Sequence, residues 1–206
     1  QVNKRVPVIA GTGSNSTAEA IEMSRHAKKL GADGCLLVTP YYNKPTQEGL
    51  YRHYMAIADA VAIPQILYNV PGRTAVNLLP ETVARLAEHK NIVAIKEATG
   101  SLQQASEVLA LCGDKIDVLS GDDFITFPMM ACGAKGVISV TANIMPAEIA
   151  SLVDAFNAGD LEKARQLHLK TLKINNAMFI ESNPVPVKTA LGLMGKCSDE
   201  VRLPLC

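Results

Sequence analysis

The chain alternates between short apolar runs rich in β-branched residues and longer segments whose apolar positions recur every three or four residues. The first pattern suits a strand buried on both faces, the second an amphipathic helix. On this basis strands are predicted over residues 6–10, 34–38, 65–68, 92–96, 117–120 and 136–140. Helices are predicted between them over 17–30, 47–60, 80–89, 102–111 and 124–131. After residue 140 the strand pattern stops, and 146–157, 161–175 and 185–194 read as helices. Regular alternation of strand and helix implies a parallel sheet with helices on its faces, an α/β fold. Two such architectures compete, a doubly wound open sheet and a (β/α)8 TIM barrel. Thr12, Thr39, Tyr68, Lys96, Gly121 and Thr141 all fall at or just past a predicted strand end. Polar or glycine positions at every strand end fit the barrel, whose site is assembled from all its strand-to-helix loops. A doubly wound sheet concentrates its chemistry at one switch point. The expected fold is therefore a (β/α)8 barrel over residues 1–145, incomplete at six strands, followed by a helical region over 146–206 packed on it.

Composition narrows the function. The 206 residues are 48% hydrophobic, enough for a sizeable core. Lysine plus arginine and aspartate plus glutamate number 20 each, there is no tryptophan, and aromatic residues are 4%, which argues against a nucleic-acid partner. No apolar run approaches the ~18 residues that span a bilayer, so no membrane role is expected. The five cysteines form no Cys-x-x-Cys pair, which fits a reducing, cytoplasmic setting. His26, His53, His89 and His168 lie at helix-like positions without a ligand-spaced partner. They read as surface or interface residues, and no metal is expected.

The chemistry gathers at strand ends. Ile92-Val93-Ala94-Ile95 leads directly into Lys96-Glu97. A lysine at the end of a buried strand either reaches solvent, pairs with a neighbour such as Glu97, or is held neutral as a nucleophile toward a carbonyl. Alternation puts Ala94 and Lys96 on one face, so a small side chain lies beneath the amine. Tyr68 ends the preceding strand, and neighbouring strands lie about 4.8 Å apart. A phenol and an amine at the same sheet end can share a substrate atom. Pro71-Gly72 then turns the chain and presents Arg73, whose planar fork suits a carboxylate. Gly11-Thr12-Gly13-Ser14-Asn15-Ser16 resembles a dinucleotide loop, but Ser16 stands at the third glycine position and Asp33 precedes its strand. A tight turn with Asn15 or Ser16 capping the next helix is the expectation. Asp122-Asp123 lacks a third metal ligand nearby, and Asp123 is expected to cap a helix starting at Phe124. Gly121 leaves room for close approach of substrate to the backbone.

Together these segments resemble the dihydrodipicolinate synthase family of pyruvate-dependent Schiff-base (β/α)8 enzymes. The resemblance rests on Ile9-Ala10-Gly11-Thr12-Gly13, Thr39-Pro40-Tyr41-Tyr42-Asn43, Tyr68-Asn69-Val70-Pro71-Gly72-Arg73-Thr74, Ile95-Lys96-Glu97-Ala98-Thr99-Gly100, Ser120-Gly121-Asp122-Asp123 and Gly136-Val137-Ile138-Ser139-Val140, in the same order. It implies that Lys96 forms the imine with pyruvate and that Tyr68 relays protons beside it. Tyr42 would complete the relay in a neighbouring subunit of a homotetramer, a dimer of dimers. Arg73 would hold the carboxylate of L-aspartate 4-semialdehyde, and the backbone of Gly121 and Ile138 would line the pyruvate pocket. Asn15, Glu19 and Tyr41 match positions that bind inhibitory L-lysine in some members. No cofactor is implied. Sister enzymes that cleave N-acetylneuraminate or 2-keto-3-deoxy sugar acids share the lysine and the tyrosine, but Arg73-Thr74 after Pro-Gly favours the synthase. A non-catalytic barrel fragment is the remaining alternative. The resemblance also implies two further strand-helix units before the first strand seen here and a final helix after Cys206. The strands here would then be the third to eighth of the barrel. A chain of only these residues would expose two sheet edges and is expected to be inactive or unstable.

Overall fold

The apolar runs become strands where expected. The computed structural model describes residues 2–206. Strands β1 (Ile9–Gly11), β2 (Gly34–Val38), β3 (Gln65–Asn69), β4 (Ile92–Glu97), β5 (Asp117–Ser120) and β6 (Gly136–Val137) follow one another in a single sheet in sequence order. β1 to β4 pair in parallel. This is the strand order of a (β/α)8 barrel, with six of its strands present.

Each crossover carries helix. α1 (Thr17–Lys29) and α2 (Gln47–Ala60) follow β1 and β2, and the one-turn α3 (Pro71–Thr74) and α4 (Pro80–Leu86) follow β3. α5 (Leu102–Cys112) follows β4 and α6 (Thr126–Ala131) follows β5. α7 (Pro146–Asn157), α8 (Leu161–Ala177) and α9 (Val185–Leu193) close the chain. Side-chain caps start four of them. Ser16, Thr46, Ser101 and Asp160 each accept a hydrogen bond from a backbone N–H of the first turn. Pro71, Pro80, Pro146 and Pro186 lie in first turns, where their missing N–H is not needed.

Contacts divide the chain into two compact units, Gln1–Leu119 with Cys132–Lys135, and Ser120–Ala131 with Gly136–Cys206. In the first, Leu37, Leu67 and Ile95 of the strands are fully buried with Leu50, Tyr54 and Ile57 of α2 and Leu86 of α4. In the second, α7 and α8 pack together. Phe127 of α6 sits edge-on to Phe156 of α7, with ring centres 5.8 Å apart, and stacks on His168 of α8 at 5.7 Å.

Two local expectations change. The first strand starts at Ile9, where pairing with Gly34 of β2 begins, and the preceding Val8 N–H donates to the Asp33 carboxylate at 2.7 Å. The glycine-rich turn after β1 is the expected tight turn with Ser16 capping α1, and it is also a packing device. A Cβ on Gly13 would lie 2.4 Å from the backbone nitrogen of Val38, so only glycine lets this turn cross β2. Asp123 does not cap a helix at Phe124. It lies within a 3-10 turn, Asp123–Ile125, and α6 starts at Thr126. Its buried carboxylate instead accepts from the Val140 and Thr141 backbone N–H groups at 2.9 and 3.1 Å, and from the Ser139 hydroxyl. It thus ties down the turn that follows β6.

Candidate active site

The ends of β3 and β4 bring Tyr68 and Lys96 together. The two residues are register partners across the ladder. Lys96 Nζ lies 4.1 Å from the centre of the Tyr68 ring, over its face. An amine so placed is attracted by the ring quadrupole when charged and is shielded on one side from water. Both side chains are half-buried, so the amine remains reachable by a small molecule. Ala94, two residues before Lys96, is buried and contributes only a methyl group.

This pairing depends on an irregularity. β3 and β4 begin in the register Gln65 opposite Ile92, but Ile66 then lies opposite Ala94, so one extra residue, Val93, is inserted in β4. Without it, Tyr68 would face Ile95.

The opposite face of the same strand ends is polar and closed. Asn69 and Glu97, next along each strand, are buried at 0% and 1% exposure. Asn69 Nδ2 donates to Glu97 Oε2 at 3.1 Å and to the Asn77 side-chain oxygen at 2.8 Å. Glu97 also accepts from Gln104 of α5 at 3.4 Å and from the Thr99 backbone N–H at 2.8 Å. Desolvation raises the Glu97 carboxyl above its ordinary value, while hydrogen bonds from Thr99, Asn69 and Gln104 pull the other way. Glu97 therefore lies in this cluster behind the sheet, on the face opposite Lys96.

Arg73 lies on α3, the one-turn helix that directly follows β3, and is exposed. That helix, absent from the sequence expectation, is fastened by Thr74. Thr74 Oγ1 donates to the Val70 and Val76 carbonyl oxygens and accepts from Thr39 Oγ1 at 3.1 Å. Thr39 and Thr12 are buried strand-end hydroxyls with internal partners, Thr74 and Ser24, so they brace the site rather than face substrate.

Tyr42 stands apart on the loop after β2. It is 88% exposed, and its φ of 73° lies in the left-handed region. The Asn43 N–H closes a turn around it by donating to the Tyr41 carbonyl at 2.9 Å. Asn15 Nδ2 donates to the same Tyr41 carbonyl at 3.2 Å, and Asn43 Nδ2 donates to the Asn15 carbonyl at 3.0 Å. Glu19, in the first turn of α1, accepts from Ser14 at 2.8 Å. Asn15, Glu19 and Tyr41 thus belong to one cluster of loops. Gly121 and Ile138 lie in the second unit, Gly121 just past β5 and Ile138 just past β6, where the Ile138 N–H donates to the Ser120 carbonyl at 2.9 Å.

His53 corrects the reading of the histidines as surface or interface residues. It is buried beneath α1, with its Nδ1 2.9 Å from Thr17 Oγ1, and burial pushes its pKa down to about 4. Among the described residues no group of three or more histidine, cysteine, aspartate or glutamate side chains is gathered to hold a metal ion. No helix among them is long and apolar enough to cross a membrane.

Comparison with known proteins places this arrangement. The family model described as the dihydrodipicolinate synthetase family matches residues 1–206. The chain is 88% identical over 206 residues to a 4-hydroxy-tetrahydrodipicolinate synthase of Geobacter metallireducens, and this covers 100% of the chain and 71% of that protein. A crystal structure of a chloride-inhibited dihydrodipicolinate synthase from Acinetobacter baumannii, complexed with pyruvate, is 54% identical, with a TM-score of 0.97 over 100% of this chain and 70% of that one. A synthase from Cyanidioschyzon merolae with lysine bound is 44% identical, with a TM-score of 0.93 over 97% of this chain and 68% of that one. Matched along its whole length in sequence and in fold, the chain belongs to the dihydrodipicolinate synthetase family.

Proposed function

We propose that Lys96 is the Schiff-base nucleophile of a 4-hydroxy-tetrahydrodipicolinate synthase, a lyase that condenses pyruvate with L-aspartate 4-semialdehyde on the route to diaminopimelate and lysine. The observation that carries the assignment is the Lys96 amine 4.1 Å over the Tyr68 ring at two adjacent strand ends.

The neutral amine attacks C2 of pyruvate, and loss of water leaves a protonated imine. That imine withdraws electrons, so a methyl proton at C3 is lost and an enamine forms. Tyr68 relays protons in these steps through its phenol. The enamine carbon attacks the aldehyde carbon of the second substrate. The amino group of that substrate then adds to the imine carbon, closes the ring and expels Lys96. No organic cofactor is required by this sequence of steps.

Arg73 binds the carboxylate of the semialdehyde through its planar fork. The same reading gives backbone groups of Gly121 and Ile138 to pyruvate. Tyr42, exposed on a strained turn, acts in the site of a neighbouring subunit within a tetramer of paired dimers. Asn15, Glu19 and Tyr41 form an L-lysine inhibitor site at the same interface. The enzyme works in the cytoplasm.

Sodium borohydride with pyruvate tests the central claim. In a protein of full family length that carries these residues, the expected result is an irreversible mass addition of one reduced pyruvyl group at Lys96, blocked in Lys96→Ala. Turnover with L-aspartate 4-semialdehyde should follow in the unreduced protein. Absence of an adduct at Lys96 would overturn the assignment.

A further inference from the structure

We propose that the buried cluster of Asn69, Asn77, Glu97 and Gln104 positions the nucleophile, with Glu97 holding the β3–β4 register in which Lys96 sits over Tyr68. The inference rests on the reading of Lys96 as the imine-forming residue and assigns a task to the face of the sheet turned away from substrate.

The argument starts from the inserted residue in β4. The ladder begins with Gln65 opposite Ile92 and resumes with Ile66 opposite Ala94. Had the first register continued, Tyr68 would face Ile95, Lys96 would face Asn69, and Glu97 would face Val70. A one-residue slip of this kind also turns every side chain to the other face of its partner strand. The backbone ladder alone distinguishes the two registers weakly, since parallel bonds of the same kind form in both.

The side chains behind the sheet distinguish them strongly. In the observed register Asn69 and Glu97 are partners, and Asn69 Nδ2 donates to Glu97 Oε2 at 3.1 Å. Gln104 Nε2 donates to the same oxygen at 3.4 Å and to the Asn77 side-chain oxygen at 3.0 Å. Asn77 Nδ2 returns a bond to Gln104 Oε1 at 2.8 Å, and the Leu78 N–H donates to Asn69 Oδ1 at 3.0 Å. The other Glu97 oxygen takes the Thr99 N–H at 2.8 Å. Every one of these donors points at an acceptor, so a carboxylate, which only accepts, completes the cluster. In the slipped register Glu97 would lie against Val70 and lose the Asn69 donor, and leaving a buried carboxylate oxygen short of a donor is unfavourable. Glu97 thereby penalises the register that takes Lys96 away from Tyr68. It is a positioning residue, acting through the strand and never touching substrate.

The test uses a protein of full family length carrying these residues and borohydride trapping with pyruvate at saturation, read as the rate of adduct formation at Lys96 per folded molecule. Glu97→Gln keeps the size and removes one acceptor. It should slow trapping and kcat about tenfold, with the KM for pyruvate changed less than about twofold. Gln104→Ala, on the half-buried side of α5, weakens the same oxygen without touching a strand and should slow trapping about threefold. The double variant Glu97→Gln with Gln104→Glu returns a carboxylate to the cluster and should recover most of the lost rate. Trapping at the unmodified rate in folded Gln104→Ala and Glu97→Gln overturns the inference. So does a loss of thermal stability in both with no change in trapping. If the unmodified protein of full family length itself yields no adduct, the Schiff-base reading fails first, which keeps the two failures apart.

Discussion

Lys96 and Tyr42 are both assigned to the chemistry, yet the molecule holds them in opposite ways. Lys96 is half-buried at the end of a strand, with its register partner Tyr68 beneath the amine and a closed polar cluster behind the sheet. Tyr42 is 88% exposed on a turn with positive φ, a conformation that costs a non-glycine residue on the order of 1 kcal/mol. The strand residue is placed by the ladder and by the packing on both sides of the sheet. The loop residue is placed by a few polar bonds among Asn15, Tyr41 and Asn43. A side chain held out of its own fold in this way fits the task proposed for it on another subunit, whereas the proposed nucleophile needs a rigid frame.

The comparison is broken most sharply at the amine. Lys96→Ala should reduce condensation on the order of 10⁴-fold or more without a large change in melting temperature, because the side chain is only half-buried. A melting curve beside a turnover assay checks both halves. Tyr68→Phe should follow at about 10²–10³-fold, with the fall seen at saturating substrate, since the ring that supports Lys96 is kept and only the phenol is lost. Arg73→Ala removes a charge-assisted contact of about 1.5–3 kcal/mol. It should raise the KM for the semialdehyde while leaving borohydride trapping with pyruvate unchanged, and slower trapping would place Arg73 on the wrong substrate.

Tyr42→Phe should lower turnover by about 10–100-fold. If Tyr42 serves a neighbouring subunit, mixing it with Lys96→Ala chains should regenerate activity at hybrid sites. No gain on mixing would return Tyr42 to its own chain.

The last effect falls on stability and leaves turnover aside, and it concerns the frame beneath the loop side. His53 is held neutral, its pKa pushed down to about 4 by burial, while in the unfolded chain it titrates near the ordinary value of about 6.5. The unfolded state therefore takes up the proton first as pH falls, and stability drops between those two values. The loss amounts to about 3 kcal/mol across the window. Denaturant unfolding at several pH values should show it, and His53→Gln should flatten that part of the curve.

Much of this was legible in the order of residues. Every predicted strand exists, and the spans of β2, β5, α2 and α7 match to the residue. Periodicity is a local property, and the buried strands and amphipathic helices announce it directly. Lys96 was legible for a related reason, since a cation closing an apolar run conflicts with its surroundings. The α3 turn was hidden because four residues, Pro71 to Thr74, are too few to show a period. Asp123 was misread because its partners lie sixteen to eighteen residues away, on the turn after β6. A polar pair at Asn69 and Glu97, facing away from Tyr68 and Lys96 by simple alternation, was the available signal for the cluster behind the sheet.

By itself, the sequence determined the alternation of elements and the barrel-type strand order, and it singled out Lys96 and Tyr68, which the fold sets side by side. The register was decided only in three dimensions. Whether Tyr68 faces Lys96 or Ile95 depends on one inserted residue at Val93. That insertion is stable because Asn69, Glu97, Asn77 and Gln104, drawn from two strands, the chain after α3 and the helix α5, satisfy one another only in that alignment. Hydrogen bonds between residues so far apart in the chain leave no periodic trace, so the position of the proposed nucleophile is a property of the packed molecule.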